Sequence, residues 1–153
     1  MAKLNEKLLL EKGGPAGVAK CADITTLDLS AMQIKDLDTS LFNQLVKLED
    51  LNLSQNRIST FPSDLILPKL KRLDLSDNTI SQLHFLKNFP HLESVLLTAN
   101  PLQVSDKYLA VHLLPNLSSL ESIDLSAVRH RIASLESDVK TEINKLWEKT
   151  RSF

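Results

Sequence analysis

Glycine, cysteine and aromatic residues are all scarce in this chain of 153 residues: there are 3 glycines, one cysteine, and 5% Phe, Trp and Tyr together. Three glycines leave no glycine-rich loop to cradle a phosphate. The lone Cys21 cannot close an internal disulfide, and one thiol supplies no metal-ligand spacing, so a reducing compartment fits. Net charge is −1 and the isoelectric point about 6.4, so no global field draws the chain to nucleic acid or to an anionic membrane. No stretch approaches the roughly 18 apolar residues of a membrane span. The opening segment places only Leu8–Leu10 between Lys3, Glu6, Lys7, Glu11 and Lys12, too short for the apolar region of a signal peptide. A nuclear or cytosolic location is expected, with the sequons at Asn52 and Asn116 unused.

What the chain has in excess is leucine, 31 residues in all, and the excess is periodic. The pattern L-x-x-L-x-L-x-x-N-x-L fits Leu48, Leu51, Leu53, Asn56, Ile58, then Leu70, Leu73, Leu75, Asn78, Ile80, then Leu92, Val95, Leu97, Asn100, Leu102. A first copy runs Ile24, Leu27, Leu29, Met32, Ile34, with Met32 in the asparagine position. Copies start 24, 22 and 22 residues apart, and a degenerate fifth, Leu120, Ile123, Leu125, Val128, closes the series. This is the signature of a leucine-rich repeat. Each L-x-L predicts a short strand, followed by a turn and a return segment, and no copy can bury its own leucines without stacking on its neighbours. The expected fold is α/β: a short solenoid arc, with parallel strands on the concave face and short helices or turns on the convex face. Asn56, Asn78 and Asn100 read as a structural ladder whose amides satisfy backbone groups in the turns.

The return segments differ. Leu37, Leu41 and Leu45 lie at helical spacing, Phe61, Leu65 and Leu67 sit between Pro62 and Pro68 as a helix cut short, and Leu83, Leu86 and Phe89 precede Pro90. Both ends need caps to hide the terminal leucines. Residues 1–23 predict a capping helix, with Leu4, Leu8 and Leu9 on one side and Gly13-Gly14-Pro15 as its stop. Residues 24–128 hold the repeats, closed by Tyr108, Val111, Leu114, Pro115, Leu117 and Leu120. Residues 129–153 predict an amphipathic helix with the stripe Ile132, Leu135, Val139, Ile143, Leu146, and Trp147 at its edge. That helix either folds back on the repeats or projects as a connector or pairing surface.

No catalytic constellation stands out. His84, His91, His112 and His130 are scattered, no metal-protease or nucleophile motif is present, and Asp74 and Asp77 are near neighbours with no cleft implied. The chain reads as a non-enzyme without metal or cofactor and without a small-molecule substrate. What remains is surface. Strand side chains alternate with a period of two, so the residue between the paired apolar positions of each copy points into the concave face: Asp28, Asn52, Asp74, Leu96 and Asp124. Flanking columns add Glu49, Asp50, Asp77, Glu93 and Glu121 against Lys71 and Arg72, so eight acids stand against two bases. Such a face selects protein partners with basic surfaces and disfavours phosphate backbones. Leu96, apolar in a polar column, is the candidate anchor. Basic residues also gather at Arg129, His130, Arg131, Lys140, Lys145, Lys149 and Arg151, but Glu136, Asp138, Glu142 and Glu148 alternate with them, as on a salt-bridged helix.

Taken in order, Leu8-Leu9-Leu10-Glu11-Lys12-Gly13, Leu27-Asp28-Leu29-Ser30, the asparagine repeats, Leu113-Leu114-Pro115-Asn116-Leu117, and Leu146-Trp147-Glu148-Lys149 resemble the N-terminal region of the leucine-rich repeat and WD repeat-containing proteins associated with the origin recognition complex. The likeness covers almost the whole chain. It implies a nuclear adaptor that recruits or holds the origin recognition complex on chromatin, above all heterochromatin, for replication licensing and silencing. In that family a WD-repeat propeller follows the repeats, so the chain is expected to be a fragment of a longer protein. The closing segment from Tyr108 to Leu120 also looks like the cap of the spliceosomal A-prime protein, acidic nuclear phosphoproteins and an axonemal dynein light chain. These leave a spliceosomal-type module or a cytoskeletal adaptor in the cytoplasm as alternatives. Related caps often carry a glycine after the last leucine, where this chain has Glu121.

Overall fold

The computed structural model describes residues 4–13, 20–121 and 123–151, and its contacts divide the chain into two compact units, Met1–Ile123 and Asp124–Phe153. In the first unit, strands β1 (Thr26–Asp28), β2 (Asp50–Asn52), β3 (Arg72–Asp74), β4 (Ser94–Leu96) and β5 (Ser119–Leu120) form a parallel sheet whose order is chain order. The register brings Leu27, Leu51, Leu73, Val95 and Leu120 into one buried column. Behind it stack Leu29, Leu53, Leu75 and Leu97, each at most 1% exposed. Full burial of each such side chain is worth roughly 1.5–3 kcal/mol, which is how the leucine column offsets the entropy of ordering short strands.

The strands are short because the chain leaves each one through a left-handed residue: Ala31, Gln55, Asp77, Ala99 and Glu121 have φ between 53° and 57°. In three of these turns an asparagine follows directly and collects the backbone groups the turn exposes. The Asn78 amide donates to the carbonyls of Leu53, Leu75 and Ser76 at 2.9, 3.0 and 3.1 Å, and its oxygen accepts from the Ile58 N–H at 3.0 Å. Asn56 serves Leu29, Leu53 and Ser54 in the same way and accepts from Met32 and Ile34. Asn100 joins Leu75 and Leu97 to Ile80. Each amide thus ties its own repeat to the one before. The first copy has Met32 in the asparagine position, and the N–H groups of Met32 and Ile34 donate to Asn56 one repeat later.

The return segments are a four-residue helix α2 (Thr39–Phe42), irregular turns between Phe61 and Pro68, a 3₁₀ turn (His84–Asn88), and helix α3 (Val104–Leu113). The second is shorter than its sequence predicts. Pro62 and Pro68 leave no helical turn between them, and Phe61 instead stacks on Phe85 of the next repeat with ring centres 4.3 Å apart. At the N-terminal end, helix α1 (Glu6–Lys12) is capped by Asn5, whose side chain accepts from the Leu8 N–H at 2.9 Å, and it buries Leu9 completely. Gly13 ends it with φ −93°, so no left-handed stop is used there. Glycine is needed for closeness: a Cβ would lie 2.5 Å from the Leu9 carbonyl oxygen and 2.6 Å from Ile24. The remainder of the Gly13-Gly14-Pro15 stop lies outside the described residues. Cys21 is buried beside α1, its thiol pushed up by burial and then by the charge of Glu6.

The closing repeat differs from its sequence expectation. Leu120, rather than Ile123, stands opposite Val95, so the fifth copy enters the sheet three residues earlier than the apolar template places it. Leu117 and Leu114 then take the leading buried positions, and β6 (Ile123–Asp124) follows as a two-residue strand. In the second unit, helix α4 runs from Ser126 to Arg151, beginning three residues before the expected Arg129. Leu135, Val139, Ile143, Leu146 and Trp147 are exposed along it.

Candidate functional site

Alternation along each three-residue strand leaves two outward rows. The leading row is Thr26, Asp50, Arg72, Ser94 and Ser119; the trailing row is Asp28, Asn52, Asp74 and Leu96. Over β1 to β4 they line an open depression of about 400 Å³ on the strand face. Leucine-rich repeats of this kind present their strands on the inner side of the arc.

The trailing row has a second duty. Asp28 Oδ1 accepts from the Ser30 N–H, Asn52 Oδ1 from the Ser54 N–H, and Asp74 Oδ1 from the Ser76 N–H, each at 2.9 Å. The sequence writes this as Asp-Leu-Ser, Asn-Leu-Ser, Asp-Leu-Ser: the residue that closes a strand also holds the turn after it. For Asp28 these bonds, first from the Ser30 N–H and then from its hydroxyl, keep the carboxyl below the usual carboxylate range, so it is ionised at neutral pH. The amide of Asn52 fills the same role without charge.

The pattern breaks at Leu96-Leu97-Thr98, where no acceptor is available. Glu121, one repeat later, makes a different contact: its Oε1 accepts from the Leu97 N–H at 3.1 Å, a donor whose equivalents at Leu29, Leu53 and Leu75 meet the carbonyl of the next strand, and its Oε2 accepts from the Thr98 hydroxyl. Glu121 follows Leu120 directly and so succeeds Leu96 in the trailing row, where Asp124 was expected. The Asp124 side chain lies outside the described residues.

The other expected site residues separate into groups. Asp50 is closed in a two-pronged ion pair with Arg72, Nε and Nη2 each donating to one carboxylate oxygen, and this hydrogen bonding pushes the guanidinium above its ordinary value. Glu49, Lys71 and Glu93 stand one residue ahead of the strands, at their leading edge, with Lys71 paired to Glu49 at 3.1 Å. Asp77 occupies the left-handed turn after β3, a conformation Asp tolerates better than most residues. The dense acidic sheet expected from the sequence is therefore thinner. Glu49 and Asp50 are neutralised by Lys71 and Arg72, Glu121 is committed to the backbone, and the charge on the open strand face rests on Asp28 and Asp74. Leu96, half-buried, borders them. The expected site left out Thr26, Ser94 and Ser119, the neutral members of the leading row, because the flanking columns were read for charge.

Among the described residues no group of three or more His, Cys, Asp and Glu could hold a metal ion, and no helix is long and apolar enough to cross a membrane. A family model described as the leucine-rich repeat region of leucine-rich repeat and WD repeat-containing protein 1 matches residues 6–152. The chain belongs to that family. It is 37% identical to the Xenopus laevis member over 97% of this chain and 21% of the relative, and 34% identical to the Mus musculus member over 97% and 23%. It thus spans about a fifth of the length of these relatives. Among solved structures, the Drosophila melanogaster SNF/U2A′ complex contains a chain similar in fold, with a TM-score of 0.70, 22% identity, and coverage of 93% of this chain and 99% of that one. The molecule is a leucine-rich repeat module, an architecture that presents protein-interaction surfaces and is generally without enzymatic activity.

Proposed function

We propose that the module is a scaffold that holds basic protein surfaces on its strand face, and that it does so within a nuclear adaptor recruiting or stabilising the origin recognition complex on chromatin for replication licensing and silencing. The observation that carries the binding half is the trailing row: Asp28 and Asp74 fixed by their own turns, two strands apart, with half-buried Leu96 beyond them. Fixed carboxylates lose little conformational freedom when a cation meets them, and single-sign charge speeds encounter with basic partners. Family membership supports the chromatin half.

Affinity purification from nuclear extract with the intact chain and with Leu96→Asp tests both halves. The expected result is recovery of origin recognition subunits that drops with Leu96→Asp while thermal stability is unchanged. Recovery of microtubule or axonemal proteins in their place would overturn the chromatin reading. Unaltered recovery by the variant would remove the strand face from the account.

A further inference from the structure

The change from Asp74 to Leu96 along the trailing row makes the strand face asymmetric, and the asymmetry bears on the kind of partner it fits. Over β1 to β3 the trailing row is acid, amide, acid. Over β4 it is apolar, and the acid that succeeds Leu96 has both oxygens turned to the backbone and hydroxyl of Leu97 and Thr98. The leading row adds no net charge, because Asp50 and Arg72 close on each other and Thr26, Ser94 and Ser119 are neutral. Neighbouring strands lie about 4.8 Å apart. The two anionic points are therefore separated by roughly 10 Å, and the apolar point lies about 5 Å beyond the second.

We infer that the face reads an ordered basic segment: two cationic side chains about 10 Å apart, over Asp28 and Asp74, with an apolar side chain outside the pair, over Leu96. This rests on the basic-partner reading above and adds order and orientation to it. A segment with its apolar residue between the cations would place that residue on Asn52, whose amide would lose water without an apolar contact in return. A segment with cations at both ends of the row would set one of them on Leu96. Charge complementarity thus fixes which end of the partner meets β1.

The test uses alanine-based peptides carrying two arginines and one leucine, with the leucine moved from outside the arginine pair to between them and the arginine spacing varied. They are titrated into the intact isotope-labelled chain, and the backbone amides of Asp28, Asp74 and Leu96 are followed by NMR. The expected result is binding at least about fivefold tighter when leucine lies outside the pair, a difference that Leu96→Ser erases while the chain keeps its thermal midpoint. Asp28→Asn with Asp74→Asn should weaken every peptide. If leucine position has no effect while the aspartate variants still weaken binding, the ordered reading is wrong and the basic-partner reading survives. If no peptide perturbs these three amides, both readings fall.

Discussion

Repeats one to three and repeat four build the same turn by different means. In the first group the residue that ends the strand also holds the turn, so Asp28, Asn52 and Asp74 are committed to being short, polar and bonded to the N–H two residues on. In repeat four position 96 offers no acceptor, and Glu121 of the next repeat bonds a different donor, the Leu97 N–H, together with the Thr98 hydroxyl. Where the residue that closes the strand holds the turn, the surface column is polar for structural reasons; where it does not, the column is free to carry leucine. Part of the acidity of the strand face therefore belongs to the turns, and Leu96 is the position whose identity no turn dictates.

The largest expected effect tests the element common to all these turns. Asn78→Ala leaves the Ile58 N–H and the carbonyls it served in a buried turn without their partner, and should cost about 2–3 kcal/mol, several degrees in thermal midpoint. Asn100→Ala, in a less enclosed turn, should cost less, and equal losses would contradict the ladder's dependence on burial. Next in size is the Glu121 contact. Glu121→Ala strips the Leu97 N–H of its acceptor and should destabilise by about 1 kcal/mol. Adding Leu96→Asp supplies an acceptor two residues before Thr98, as Asp74 does for Ser76, and leaves the Leu97 N–H unserved, so the loss should persist. Denaturant midpoints for the two single variants and the double variant give the coupling, and full restoration by Leu96→Asp would show that the Leu97 N–H does not depend on Glu121.

The smallest effect concerns pH. The Asp28 carboxyl is depressed in the folded chain, so its contribution is complete above the ordinary carboxylate pKa of about 4 and fades as pH falls through the lower folded value. Asp28→Asn keeps the acceptor oxygen and removes the titration. The variant's thermal midpoint should lie slightly below the parent's at neutral pH and fall less steeply below about pH 4; parallel acid limbs would show that the Ser30 bond does not favour the ionised form.

Much of this molecule was legible in the sequence, and the reasons for the rest are physical. The strands, their inward leucines and the asparagine ladder follow from the period, because a residue repeated every 22 to 24 positions must meet its own equivalents. The closing repeat was misplaced by three residues because Leu120 and Ile123 both satisfy an apolar template, and only the pairing of Leu120 with Val95 decides between them. The ion pairs were hidden for a related reason. Glu49 and Lys71, like Asp50 and Arg72, are 22 residues apart and become neighbours only once the register is known. The turns between Pro62 and Pro68 lost the helix that their leucines and Phe61 predict, since the two prolines leave too little chain for one.

The most direct test of the account is the pair Asp28→Asn and Asp74→Asn in one chain. Asn52 already shows that an amide oxygen holds this turn, so the double variant removes both open charges and leaves the fold's hydrogen bonds in place. Recovery of origin recognition subunits from nuclear extract, measured beside the thermal midpoint of the same preparation, should fall at least about tenfold with the midpoint only slightly lowered. Full recovery at that midpoint would contradict the claim that the strand face binds through these two carboxylates.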